Sequence, residues 1–284
     1  MKKAGKLLII ISLSVAAVGL VFLAAGCAMG ATISETNTLL RTTGYMETIE
    51  EKVVKISDDD DITYADRYYM EYPEIHSLDV DVTGIEVLVR ESGDENLRIQ
   101  TDGMPQKVKD ELSIYSDDGE LEIELDPKRV LKNWLKNAGD VGTLIIELPK
   151  DDILEEISIA VGEGVLTAER IDAKELDIKV GAGAAAVEQV SAQKINVGCG
   201  AGEVELAGTV YEEMEIECGV GAVTFHDSGK ESDYDYKISC GIGQLQIGES
   251  VYRGVGHQQK IESAYGDKKM EIECGIGEVN VTFQ

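Results

Sequence analysis

Six copies of one short pattern, most of them nineteen residues apart, leave this chain few folds to adopt. The copies are Ala160–Ala168 (AVGEGVLTA), Lys179–Glu188 (KVGAGAAAVE), Gly198–Leu206 (GCGAGEVEL), Glu217–Phe225 (ECGVGAVTF), Ser239–Ile247 (SCGIGQLQI) and Glu273–Val281 (ECGIGEVNV). Each holds a Gly-x-Gly pair: Gly162 and Gly164, Gly181 and Gly183, Gly200 and Gly202, Gly219 and Gly221, Gly241 and Gly243, Gly275 and Gly277. The steps are 19, 19, 19, 22 and 34 residues, so the last turn carries an insertion, Gly248 to Gly266. A fixed period of this length is the mark of units that stack on their neighbours.

The last copy shows how one unit is built. Met270, Ile272, Cys274 and Ile276 alternate with Lys269, Glu271, Glu273 and Gly275, a period of two that predicts a strand with one buried face. Beyond Gly277 the apolar set becomes Val279, Val281 and Phe283, so the parity flips at the glycine pair. Each unit therefore reads as two short strands joined at a glycine corner and followed by a polar return. Glycine is expected there because positive φ costs it little. The predicted fold is all-β, a single-chain β-solenoid in which strand n lies beside strand n+1 and ladders of Val, Ile, Leu and Cys fill the interior.

A weaker copy precedes these six. Asp81–Glu91 (DVTGIEVLVRE) sets Val82 at the cysteine position, with Val87 and Val89 on a second strand. Further alternating strands start at Leu97, Leu112, Glu120 and Thr143. Residues 75–284 are read as one β domain, with a division into two subdomains near residue 150 left open. Two segments do not alternate. Residues 127–138 (PKRVLKNWLKNA) predict a short amphipathic helix capped by Asp126, with Pro127 in its first turn and Gly139 at its end. It is expected to cap one side of the solenoid and bury Trp134; lying on an anionic surface is the alternative. Residues 45–56 form a candidate second helix inside a stalk, 32–74.

Residues 7–31 contain no charge, follow Lys2, Lys3 and Lys6, and are long enough to span a bilayer, for which about 20 residues suffice. The positive-inside rule sets the N-terminus in the cytoplasm and the rest outside. Segment 1–31 is read as an uncleaved anchor. A lipoprotein signal with Cys27 as the lipidated residue is the alternative, on the strength of Leu23-Ala-Ala-Gly-Cys27. Either way the bulk of the protein is expected to be extracytoplasmic and held at the cell membrane.

Composition excludes more than it assigns. There are 54 acidic and 26 basic residues, a net charge of −28; setting aside the three N-terminal lysines leaves −31 for the remainder. Such a surface repels phosphate backbones, so no nucleic acid is expected as a partner. Asp58–Asp61 lacks the glycine and spacing of a calcium loop and reads as a solvated run. The Gly-x-Gly pairs recur between strands, which is not how one phosphate loop is built, and no cofactor is expected.

The four later cysteines, Cys199, Cys218, Cys240 and Cys274, all stand one residue before a corner glycine, where Val161 and Val180 stand in earlier copies. That interchange reads them as small buried hydrophobes, one or two disulfides being the alternative. No metal site is expected, since no CxxC pair or nearby histidine exists. His76, His226 and His257 occupy unrelated repeat positions and suggest no triad. Outward columns are expected to run Asp177, Asn196, Glu215, Lys237, Glu271 and Lys179, Gly198, Glu217, Ser239, Glu273, with mixed signs relieving like-charge stacking. The final copy ends almost at the C-terminus, which predicts an exposed last rung, with the 249–266 insertion as its local cap.

The repeated Φ-x-Φ-x-Cys-Gly-Φ-Gly-x-Φ-x-Φ units from Ile159 to Val281, the element Tyr234-DYKISCGIG and the terminal Ile272-ECGIGEVNVTF resemble a bacterial family of β-strand-repeat proteins of unknown function, catalogued as adhesins from their architecture. The hydrophobic start resembles that family's anchor segment. The resemblance implies an envelope-facing solenoid without established catalytic residues, and it carries over no functional residue. The expectation is a non-catalytic adhesin or envelope scaffold or sensor, binding a cell-wall polymer or a membrane protein. A regulatory partner of a membrane protein in envelope stress signalling and a polysaccharide-active solenoid enzyme are the alternatives.

Overall fold

The computed structural model describes residues 68–125, 142–150, 152–253, 257–261 and 266–284. All lie in one compact unit, Ala65–Gln284. The anchor segment 7–31 with Cys27, the expected helices at 45–56 and 127–138, and the acidic run 58–61 lie outside the described residues. Among the described residues no helix is long and apolar enough to cross a membrane.

The fold is all-β. Its strands are β1 (Tyr68–Tyr72), β2 (Ser77–Val82), β3 (Ile85–Glu91), β4 (Leu97–Asp102), β5 (Leu112–Asp117), β6 (Glu120–Leu125), β7 (Thr143–Leu148), β8 (Leu154–Val161), β9 (Gly164–Val180), β10 (Ala184–Cys199), β11 (Glu203–Cys218), β12 (Ala222–Asp227), β13 (Tyr234–Cys240), β14 (Gln244–Ile247), β15 (Ser250–Arg253), β16 (His257–Ile261), β17 (Lys268–Cys274) and β18 (Glu278–Phe283). One turn of helix, α1 (Gln106–Lys109), buries Val108. It follows Pro105 and is too short to leave an apolar period in the sequence.

The strands form one continuous sheet folded into two faces. The first face runs β5, β6, β2, β8, the second halves of β9, β10 and β11, then β17, β13 and β16. The second runs β1, β4, β7, β3, the first halves of β9, β10 and β11, then β12, β18, β14 and β15. Pairing is parallel except at both ends, where strands of opposite direction close the stack. The polar return expected after each second strand is itself strand: β9 and β10 run without a break from one face to the other. Two successive exposed residues, Glu169–Arg170 and Glu188–Gln189, mark the bend by flipping the buried side.

The predicted register holds along the stack. Val82 pairs with Val161, Val161 with Val180, Val180 with Cys199 and Cys199 with Cys218. A column of Ile123, Val80, Ile159, Ile178, Val197, Ile216, Ile272 and Ile238 is buried two residues earlier. Each such side chain contributes about 1.5–3 kcal/mol through burial.

The order of the copies is not the order of the chain, which corrects the expectation that strand n lies beside strand n+1. The C-terminal copy, β17–β18, is inserted between β11–β12 and β13–β14. The N-terminal copy, β2–β3, is likewise inserted between β6–β7 and β8–β9. The last copy is therefore interior, not an exposed final rung. The terminal rung is β13–β14, and the insertion caps that rung instead of the last copy, β15 pairing antiparallel with β14 and β16 with β13.

The corner glycines also need a different explanation. Among the six Gly-x-Gly pairs only Gly164 has positive φ, at 150°. The requirement is contact between rungs. A Cβ on Gly183 would stand 2.0 Å from the Gly164 carbonyl oxygen, and one on Gly221 2.0 Å from that of Gly202. The corners pack backbone on backbone, and their amides continue the ladder: Gly200 N–H donates to Val180 at 2.8 Å and Gly275 N–H to Cys218 at 2.7 Å.

Candidate functional site

The strand residue before each corner cysteine or valine points outward. Lys179, Gly198, Glu217, Glu273 and Ser239 stand in that spatial order on the first face. Beside them the first corner glycines, Gly181, Gly200, Gly219, Gly275 and Gly241, carry no side chains. The result is an open groove of about 690 Å³ that crosses five rungs, with Cys199, Cys218 and Cys274 in its lining. The middle residues of these five corners are all apolar: Ala182, Ala201 and Val220 are exposed, Ile276 is half-buried and Ile242 is 63% exposed. A narrow apolar ridge therefore runs along a strongly acidic protein.

The changed rung order alters the charges beside this groove. Chain order would place Lys237 next to Glu215. In the structure Glu271 stands between them and takes Lys237 as its ion-pair partner. Glu215 is left beside Glu271, and Glu217 beside Glu273, so like charges stack where mixed signs were expected. Partial burial, then the carboxylates of Glu217, Glu271, Glu213 and Glu273, hold the Glu215 carboxyl above its ordinary range. At the other end of the groove Lys179 donates to Asp177 at 2.5 Å, and that hydrogen bond raises its pKa.

The four cysteines are buried and free. They form one column in the spatial order Cys199, Cys218, Cys274, Cys240. Cys199 and Cys218 donate to the carbonyls of Gly202 and Gly221 at 3.1 and 3.2 Å. Cys218 also interacts with the sulfurs of Cys199 and Cys274, so its own thiol is pushed up while theirs are lowered, Cys274 to about 7. Burial raises the Cys240 thiol.

Two polar clusters escaped sequence reasoning. On the second face His226 Nδ1 lies 2.7 Å from Thr282 Oγ1, and its Nε2 lies 3.6 Å from Glu205 Oε1. The row has the composition of a hydroxyl, base and acid relay, but it lies on an open sheet whose neighbouring strands are held in ladder pairing. The second cluster is interior. The buried Asp227 carboxylate accepts from Tyr234 Oη at 2.5 Å and from Gly229 N–H at 2.9 Å. Lys268 Nζ sits 5.3 Å from the Tyr234 ring centroid and donates to the Val210 carbonyl at 2.8 Å. Burial, then the Asp227 hydrogen bond, drives the Tyr234 phenol far above its ordinary range. The aromatic residues of the Tyr234-DYKISCGIG element thus secure the end of the stack. Only the pairing of one tyrosine with an acid seven residues earlier could have signalled this. Among the described residues no three His, Cys, Asp or Glu side chains gather as a metal cluster.

The profile of the Toastrack DUF4097 family matches residues 75–283, and the chain belongs to that family. No curated protein matches it. Similar crystal structures include a candidate adhesin from Bacteroides fragilis (17% identity, 76% of this chain and 97% of that one, TM-score 0.44). Another is a candidate cell adhesion protein from Clostridium sporogenes (17% identity, 77% and 100%, TM-score 0.40). A third is a candidate lipid-binding protein from Parabacteroides distasonis (13% identity, 77% and 97%, TM-score 0.36).

Proposed function

We propose that this Toastrack-family chain is a non-catalytic, membrane-anchored, extracytoplasmic display protein that binds an extended cell-wall polymer along its corner groove. The observation that carries this reading is the groove itself: a trough of glycine backbone crossing five rungs, lined also by Lys179, Glu217, Glu273 and Ser239. A trough that repeats at the rung spacing of about 4.8 Å suits an extended partner better than a compact one. The uncharged 7–31 segment behind Lys2, Lys3 and Lys6 supplies the anchor and the orientation.

The test is co-sedimentation of the detergent-solubilised full chain with isolated cell-wall material, at low and high salt, with the supernatant assayed for released sugar. Saturable binding that survives salt, releases no sugar and is weakened at least tenfold in Glu217→Lys/Glu273→Lys supports the reading. Sugar release that disappears in His226→Ala favours a polysaccharide-active enzyme built on the Glu205, His226 and Thr282 row. Absence of binding moves the function to a membrane-protein partner.

A further inference from the structure

The thiol column is contiguous in space although not in sequence. Cys240 precedes Cys274 in the chain yet lies beyond it in the stack, so four thiols occupy four successive rungs. The column also accepts valine, at Val161 and Val180, so burial alone does not demand sulfur there.

Its geometry selects among the things thiols do. In-register neighbours on parallel strands point the same way, so their Cβ atoms keep the strand spacing of about 4.8 Å. A disulfide needs Cβ atoms about 3.5–4.5 Å apart, so closing one would draw two rungs together. Tetrahedral zinc, with sulfur at about 2.3 Å, needs four convergent ligands about 3.8 Å from each other, and a straight column brings only two to any point. Two sulfurs on opposite sides of one ion need only two in-register neighbours, which the column supplies at the rung spacing of about 4.8 Å. Thiolates favour soft ions, Cu(I) among them.

We propose that Cys218 and Cys274 bind one soft, two-coordinate monovalent cation of the Cu(I) class between β11 and β17. Two S–H bonds break, two sulfur–metal bonds form and two protons leave; no atom changes oxidation state. The bound unit keeps one negative charge, flanked by the remaining S–H groups of Cys199 and Cys240. Cys199, Cys218 and Cys274 are among the residues that line the groove of glycine corners. The ion would tie the inserted C-terminal rung to the body of the stack.

The test titrates the reduced full-length chain with Cu(I) under anaerobic conditions against a competing chelator, alongside Zn(II). Valine replacements keep the column filled as Val180 fills it, and melting curves verify that each variant is folded. The wild type and Cys199→Val/Cys240→Val should each retain one Cu(I) per chain and little Zn(II). Cys218→Val/Cys274→Val should lose that equivalent, because Cys199 and Cys240 are then three rungs, about 14 Å, apart. Cys27 is present in every variant and cancels. Equal copper retention by Cys218→Val/Cys274→Val, or zinc retention matching that of copper, overturns the proposal.

Discussion

Cys218 pairs in register with Cys274, the last cysteine of the chain, and not with Cys240, the next one. This single pairing states the topology of the C-terminal end: the final copy is held on both sides, by β11–β12 and by β13–β14. The N-terminal copy is held the same way, β2 between β6 and β8. Neither terminal copy is therefore a free rung that can fray alone.

Removal of Lys268–Gln284 should accordingly cost more than one rung. In a stack built in chain order, the truncation would expose one new edge and leave the preceding rungs protected. Here it would separate β13–β16 from everything they rest on. Native-state hydrogen exchange should show β13–β16 losing protection together with the deleted strands, while β8–β10 stay slow. Protected amides in β13 after the truncation would contradict the inserted arrangement.

The glycines divide into two kinds with opposite expected behaviour. Gly183→Ala puts a Cβ 2.0 Å from a backbone oxygen that cannot move without displacing the next rung. It should cost about 3 kcal/mol or more, in the range of severe overpacking. Gly198 lies on an outward strand position where a Cβ would meet only the Lys179 side chain, at 3.4 Å. Gly198→Ala should be neutral or stabilise by up to about 1 kcal/mol. Urea unfolding of the two variants distinguishes contact from conformational freedom; equal costs would mean that the corner contact is not the reason for the glycines.

Glu215 makes a pH prediction with a definite sign. Its carboxyl is raised in the folded protein, so the native state holds the proton more tightly than the unfolded chain does. Its contribution is then most favourable below the ordinary value of 4.5 and declines as pH rises through the raised value, leaving a penalty at neutral pH. Glu215→Gln removes that penalty. At pH 7 the variant should be more stable by about 0.5 kcal/mol, a Tm gain of about 1–2 °C, with the gain vanishing near pH 4. A gain independent of pH would assign the effect to something other than the carboxylate.

Much of this architecture was legible because solenoid packing is local and periodic. The alternation around Cys274 fixed the buried column, and the equal steps fixed the register from Val161 to Cys218. The rung order was not legible. Neighbouring copies share one core pattern, so Cys240 and Cys274 present equally good partners to Cys218, and the insertion between β14 and β17 leaves the chain long enough for either. Misplacing that rung also misplaced the charges, since Lys237 reaches Glu271 and not Glu215. The groove was implicit in the corner glycines, but reading them as conformational devices hid their consequence, a surface without side chains. The Asp227 cluster depends on a side chain turning inward where the column otherwise holds Ile171, Val190, Gly208 and Phe283, and no period announces that.

The Asp227–Tyr234 pair gives the sharpest test of that end of the fold. Tyr234→Phe leaves the buried carboxylate with the Gly229 amide as its remaining donor. An unsatisfied buried acceptor costs about 1–3 kcal/mol, which corresponds to a Tm lower by roughly 4–8 °C at the middle of that range. Asp227→Ala removes the carboxylate but strands the phenol. The double variant removes both partners and should cost less than the sum of the singles by at least about 1 kcal/mol. The phenol adds a signature at high pH. Because it is held protonated in the fold, the wild type loses stability as pH climbs above 10.0, the ordinary tyrosine value, and Tyr234→Phe should lose less over the same window. Strictly additive singles together with parallel alkaline profiles would show that Tyr234 holds this end by packing alone.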